Sequence, residues 1–414
     1  MPSGHDPMTA AQARLTGRDI VIVCVLGTVT FSGPLAIHFF LPAVPLLKQE
    51  FGVGSSMAQA AFSITLFVMA LSTLVYGSLA DRFGRRVVLI GGLGLFVAGS
   101  AVCAMSETIA SLIVGRLVQA VGAGCGLVLS RAIAHDLYAG ERVVRILAYL
   151  TMAYSLGPMI APPVGGFLVD GIGWRAIFAV AAVAATVTLA LALVVLPGDD
   201  RRQMTTRLQR GSLLGGYVRL FGNARFCGFV FQSGFGSGAF FAYAGASTLL
   251  MNELLHRPPS EFGVYFVLFP IGYWLGTLIA SRLGGRVAIE VMVAAGAGVT
   301  FLAAVALAGF VLSGALTPLV LFLPGLFVTL GQGLSLPNAQ AGAIGTVPAL
   351  AGTAAGIGIF LQLGLGAAGA QLTGLFADGT AWPMIAVVLG STILEVIAGL
   401  VPLMLRGRKR RSDR

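Results

Sequence analysis

Ionisable side chains are scarce inside the apolar runs of this 414-residue chain, so the few that occur there are the first candidates for chemistry. His38 lies near the end of the first run, Arg116 about two turns into the fourth, and Glu395 near the middle of the last. An imidazole titrates close to neutral pH and can take up and release a proton, and a carboxyl held in hydrocarbon can do the same. A guanidinium nearby biases both. The chemistry open to such a set is proton exchange. The competing readings are structural: His38 as a neutral wall residue, Arg116 snorkelling to the interface, Glu395 as a protonated or internally bonded acid. The depth of Arg116, with Gln119 one turn on, favours a cavity-facing guanidinium. No Ser/His/Asp grouping, H-E-x-x-H or G-x-x-x-x-G-K-S/T is visible, and the four Cys lack metal-ligand spacing, so no enzyme, cofactor or metal site is expected.

A second charged cluster interrupts two apolar runs: Gly77-Ser-Leu-Ala-Asp81-Arg82-Phe-Gly84-Arg85-Arg86. Each flanking run is long enough to cross a bilayer, so this stretch is a tight turn at one membrane face. Its arginines mark that face as cytoplasmic. Asp81 can pair with neighbouring Arg residues or hold the positive end of another helix, a contact that can be made in one conformation and broken in another. Arg131 and Arg142 with Asp136 form a further candidate interface pair, and Glu290 belongs with Arg286 at a turn on the same side.

Composition decides the class. With 57% hydrophobic and only 10% charged residues, the chain is an integral membrane protein; soluble chains carry about a quarter charged residues. The net charge of +10 is not a nucleic-acid signal, because all but four of the 26 Lys and Arg fall in presumed cytoplasmic segments. It orients the chain and attracts anionic lipid. Twelve apolar windows begin near Ile20, Met57, Val87, Ile109, Ile146, Trp174, Phe226, Glu261, Val287, Leu316, Thr346 and Trp382. One long polar connection divides them six and six. The expected layout is a cytoplasmic tail (1–19), a six-helix bundle (20–196), a cytoplasmic linker (197–219), a second bundle (220–405) and a basic tail (406–414). Gly166-Phe-Leu-Val-Asp170-Gly-Ile-Gly-Trp174 recurs as Gly374-Leu-Phe-Ala-Asp378-Gly-Thr-Ala-Trp382, and Arg82, Gly84 and Arg86 recur as Arg282, Gly284 and Arg286. Ser281 stands where the first copy has Asp81. Such parallel repeats suit two halves rocking about a midplane site. Glycines such as Gly122, Gly124 and Gly126, or Gly352, Gly356 and Gly358, would let helices approach closely.

The turn around Asp81 resembles, residue for residue, the G-x-L-a-D-R-x-G-R-R/K signature between helices two and three of the major facilitator transporters. That resemblance implies an all-α fold of twelve transmembrane helices in two pseudo-symmetric bundles, and a conformational gate at Gly77, Asp81, Arg82, Gly84, Arg85 and Arg86. Arg116-Leu-Val-Gln119 resembles the fourth-helix signature, where the Arg is implicated in proton coupling. Gly157-Pro158-Met-Ile-Ala-Pro162-Pro163-Val-Gly165-Gly166 resembles the fifth-helix motif associated with exporters. With Phe40-Leu41-Pro42, Asp136-Leu-Tyr138 and Leu336-Pro337-Asn338, the chain resembles the bicyclomycin/chloramphenicol-resistance branch of drug:proton antiporters. It departs in one place: that branch has Asp two residues before Tyr-Leu-Pro, and here His38 precedes Phe39-Phe40-Leu41-Pro42.

From residues and resemblance together, the expected protein is a monomeric inner-membrane transporter with both termini cytoplasmic. It exports a small amphiphilic molecule in exchange for protons, coupled by His38, Arg116 and Glu395. Gln119, Tyr154, Gln232, Phe235, Tyr243, Gln332 and Gln362 are the candidate lining of an apolar cavity with a few polar points. Uptake or facilitated diffusion with altered or absent proton coupling is the alternative.

Overall fold

The computed structural model describes residues 16–198 and 213–412, almost all of them helical. The first half comprises α1 (Gly17–His38), a short α2 (Val44–Phe51), α3 (Ser55–Phe83), α4 (Arg85–Ala104), α5 (Ile109–Leu137), α6 (Glu141–Ile172) and α7 (Arg175–Val195). A short α8 (Leu213–Phe221) leads into the second half: α9 (Ala224–Glu253), α10 (Pro259–Phe266), α11 (Leu268–Leu283), α12 (Ile289–Leu312), α13 (Pro318–Thr346), α14 (Ala351–Leu375) and α15 (Trp382–Ser412). The expected tail 1–19 and linker 197–219 lie largely outside the described residues.

Local chemistry sets these boundaries. Thr16 with Asp19 and Thr108 with Ser111 form reciprocal caps that satisfy the first amides of α1 and α5. Asn223 caps α9 through the amides of Arg225 and Phe226. Gly84 ends α3 and starts α4 in a single residue with φ of +97°, a conformation open to glycine at little cost. The charged turn is therefore as tight as its sequence implies. The expected eighth span breaks at Val267 into α10 and α11.

Among the described residues, eleven helical segments have the length and hydropathy to cross a membrane. The one expected span not among them, the seventh, is α9, which has the length, 30 residues, but not the hydropathy. The reason is its position. Twenty-two of its residues are buried in protein, including Gln232, Ser233, Ser237, Ser247 and Thr248, so few of its side chains need to satisfy lipid. Peripheral helices show the opposite pattern: Val183 on α7, Leu302 on α12 and Leu278 on α11 are exposed.

The helices run up and down between two ends. One end is basic, carrying the Gly84 turn, α8, the α11–α12 turn and Arg406. At the opposite end the halves close on each other. A Cβ at Gly166 on α6 would lie 2.4 Å from Pro259 O, and one at Gly374 on α14 would lie 2.5 Å from Gln59 Cβ. These are the two copies of the repeated Gly. Each brings its own half against the other's backbone or side chains. Gly263 on α10 lies equally close to Pro162 O. Polar contacts finish the seal: Lys48 with Glu253 at 2.6 Å, Ser63 Oγ donating to Gln371 Oε1 at 2.7 Å, and the Ser260 amide donating to Asp170 at 2.9 Å. Gln59, fully buried there, has neither amide atom hydrogen-bonded. An unsatisfied buried amide costs about 1–3 kcal/mol, which keeps the seal from being deeply stable. Within the first half, Gly122, Gly124 and Gly126 give close contacts to α4, α3 and α1 as expected. Gly352 and Gly358 meet nothing, and Gly356 only touches Leu74, because that end of α14 borders open space.

Replacing Gly166 by Leu should wedge the seal. With a cysteine introduced at the buried Ala242 in a background lacking the native cysteines, labelling by a membrane-impermeant thiol reagent should rise several-fold. Unchanged labelling would show that the α6–α10 approach does not hold this end shut.

Candidate functional site

Between the halves lies a chamber of about 370 Å³, lined from both of them. On α6 the lining residues Thr151, Tyr154, Ser155 and Pro158 recur at helical spacing on one face. On α9 they are Val230, Ser233, Ser237 and Phe240, and on α13 Gln332, Leu336, Ala339 and Ala343. Arg131 on α5, Tyr273 and Trp274 on α11, and Gly358 and Gln362 on α14 complete the wall. These positions run toward the basic end, so the chamber opens there. The polar contacts described at that end stay within one half: Arg85 pairs with Asp136 at 2.8 Å, Arg86 Nη2 donates to Leu193 O at 2.5 Å, and Glu290 pairs with Arg225 at 2.5 Å. Glu290 also lies 3.6 Å from Arg406. Asp136 likewise takes Arg85, leaving Arg131 to the chamber. Among the described residues Asp81 makes no ion pair or hydrogen bond, and Arg82 lies over the Phe83 ring at 5.2 Å.

Of the three candidates His38, Arg116 and Glu395, His38 is the one that reaches the chamber. It forms the roof toward the sealed end, 5% exposed, and its ring is enclosed by second-half aromatics: Phe266 at 5.9 Å, Phe241 stacked at 6.2 Å and Phe240 at 6.3 Å. Its Nδ1 has no hydrogen-bond partner. A side chain from one half thus sits in a pocket made by the other.

Arg116 does not face the chamber, contrary to expectation. It is buried inside the first half, where Nε donates to Ala61 O at 3.1 Å and Nη1 to Ala36 O at 3.0 Å and Gln119 Oε1 at 2.6 Å. Gln119 passes the chain on to Ser100 Oγ at 2.8 Å. The guanidinium stacks 4.4 Å from Phe40 and 5.7 Å from Phe178, with no carboxylate in contact among the described residues. It ties α1, α3 and α5 together by satisfying carbonyls, and the Ala36 bond lies two residues from His38. Glu395 is also sealed away from the chamber. It is fully buried between α15 and α9, where Gln232 Nε2 donates to it at 2.9 Å and its second oxygen is unpartnered. Such a site is tolerable for a carboxylic acid and costly for a carboxylate.

Of the seven expected cavity residues, Tyr154, Gln332 and Gln362 line the chamber. Gln119 and Gln232 are committed to Arg116 and Glu395. Phe235 stacks on Phe231 at 6.0 Å, and the Tyr243 hydroxyl donates to Leu321 O behind α9. In the fifth-helix motif, Gly157 packs on Pro34, Pro158 lines the chamber, Gly165 meets Phe39 O, and Pro162 and Gly166 belong to the seal. Sequence reasoning missed Arg131, Tyr273 and Trp274. The spacing of Thr151, Tyr154, Ser155 and Pro158 was a readable sign of the lining face.

The sequence of residues 26–370 matches the model of the Major Facilitator Superfamily. The chain belongs to that family. It is a multi-pass membrane transporter, and its relatives are of the drug-resistance branch. A bicyclomycin resistance protein homolog of Haemophilus influenzae is 23% identical over 91% of this chain and 95% of its own length. Multidrug resistance protein D of Escherichia coli is 26% identical over 81% of this chain and 84% of its own. Among solved structures, a partially occluded inward-open form of the xylose transporter XylE from E. coli superposes with a TM-score of 0.70 at 15% identity, over 92% of this chain and 95% of that one. At that identity the match shows the fold.

Arg116→Ala should remove the donors to two backbone carbonyls and to Gln119. A loss of about 3 kcal/mol is expected on thermal unfolding in detergent, with Lys restoring less than half because it lacks the planar fork. Unchanged stability would mean the carbonyls are satisfied otherwise.

Proposed function

We infer that this transporter exports a small amphiphilic or drug-like compound across the bacterial inner membrane by alternating access, in exchange for protons. The observation that carries the reading is the chamber's form: it is open at the basic end and sealed at the other through a small set of backbone approaches and polar pairs. Lys and Arg accumulate on the cytoplasmic side, so the basic end, with both termini, faces the cytoplasm and substrate enters from within. The fifth-helix motif of exporters supplies two of the positions that close the opposite end, Pro162 and Gly166. The relatives' names support the same direction.

In this state the cytoplasmic side is open and Asp81 is disengaged. Closing that side would bring the α3–α4 turn toward the second half, where Asp81 can pair with a cation or a helix N-terminus and hold the opposite conformation. Arg85, fixed to Asp136, keeps the turn oriented while this happens.

His38 carries the proton in this reading. It lies where the halves part, so when the seal opens it is exposed to the outside, and when the seal closes it returns to an aromatic pocket. Protonated imidazole is favoured in the wet state and penalised in the closed one, so each cycle delivers a proton inward. Arg116 acts as the rigid neighbour of this site and Glu395 as a buried acid of the second half; neither needs to touch substrate.

Cells expressing the protein should accumulate less bicyclomycin, or another amphiphilic drug from a panel, than cells without it, and an uncoupler should abolish the difference. Net loading of cells would overturn export. In proteoliposomes, His38→Ala should lose uphill transport driven by a pH gradient yet retain downhill counterflow. Uphill transport surviving in that variant would place the proton elsewhere.

A further inference from the structure

The chamber's charge is as informative as its shape. Among the described residues that line it, Arg131 is the one permanently charged side chain, and no Asp, Glu or Lys is present. Arg131 makes no ion pair or hydrogen bond among the described residues, whereas Asp136, the nearest acid on its own helix, is taken by Arg85 at 2.8 Å. Thr151 and Ser155 turn their hydroxyl protons to the backbone, at 2.8 and 2.9 Å. Above these groups the wall is aromatic: Phe240, Phe241, Phe269 and Trp274.

We propose that the chamber selects a small aromatic organic anion, a carboxylate or its like, whose charged group is received by Arg131 and whose ring lies against the aromatic roof. A lipophilic cation finds no counter-charge on these walls and meets a repulsive guanidinium on the way in. A protonated His38 adds to the same bias. A guanidinium receives a carboxylate through two parallel N–H donors, which an ammonium or amide cannot exploit. The volume of about 370 Å³ sits at the small end of ligand sites, in keeping with one or two rings. The proposal rests on the export reading and adds to it. An anion leaving a negative interior is already driven outward, by about 50-fold per 100 mV for one charge, so a weak proton coupling would suffice.

The test uses the purified full chain and three probes of one shape: 1-naphthoate, 1-naphthamide and (1-naphthylmethyl)trimethylammonium. Binding is read by calorimetry and flux in proteoliposomes. The carboxylate should bind about tenfold or more tighter than the amide, and the ammonium weakest. Arg131→Gln should erase the preference, with binding of the amide unchanged, and Arg131→Lys should recover part of it. If the ammonium or amide binds the wild type as tightly as the carboxylate, the charge selectivity is overturned while export stands. If all three probes fail to bind and the drugs of the cellular assay also fail to move, the export reading itself falls. A variant that does not fold leaves the wild-type probe comparison decisive.

Discussion

The closure of this molecule depends on backbone meeting backbone at Gly166 and Gly263, and on Gly374 meeting the Gln59 side chain. In hydrocarbon there is no hydrophobic drive to press helices together, so association relies on close van der Waals packing and on a limited number of polar bonds. At these three positions the missing side chains let one half reach the other. Any Cβ would have to displace a carbonyl or a buried glutamine. The same economy makes the contact reversible. It is held by a few polar pairs and carries the unsatisfied Gln59 amide, so a modest change in free energy separates the sealed state from an open one.

Charge in the bilayer is arranged on a related principle. Arg116 and Glu395 are almost completely buried, and each is enclosed within its own half, bonded to carbonyls or to a glutamine rather than to a counter-ion. They keep their surroundings through any movement of the halves. His38 is placed otherwise, since its pocket is built by the opposite half and is lost when the halves part. Of the three, it is the group whose environment the conformational change must alter. Arg131 sits in the open mouth, where water and substrate can both reach it.

The aromatic roof links these features. Phe240, Phe241, Phe266 and Phe269 form a chain of edge-to-face contacts at about 5–6.4 Å and reach His38, so chamber, imidazole and seal share one cluster. Substrate lying beneath the roof, a proton on the imidazole and the closure of α6 on α10 would all act on the same packed rings. Coupling among them needs no longer pathway.

The sequence by itself determined the class, the spans and the charged turn, because those depend on local quantities: hydropathy over about twenty residues, the sidedness of Lys and Arg, and a glycine between two helices. It also exposed the repeat whose glycines prove to be sealing points, though nothing in the repeat says what they touch. Tertiary structure decided which faces look inward. Arg116, Gln119 and Gln232 read as cavity residues because polar groups in apolar runs suggest a cavity, yet they bond to backbone carbonyls and to other side chains inside their own halves. Arg131 read as a surface partner of Asp136 until Arg85, nearly fifty residues earlier in the chain, was seen to occupy that acid. A helix carries its polar residues in the sequence, but its rotation about its own axis is set only by the helices packed around it.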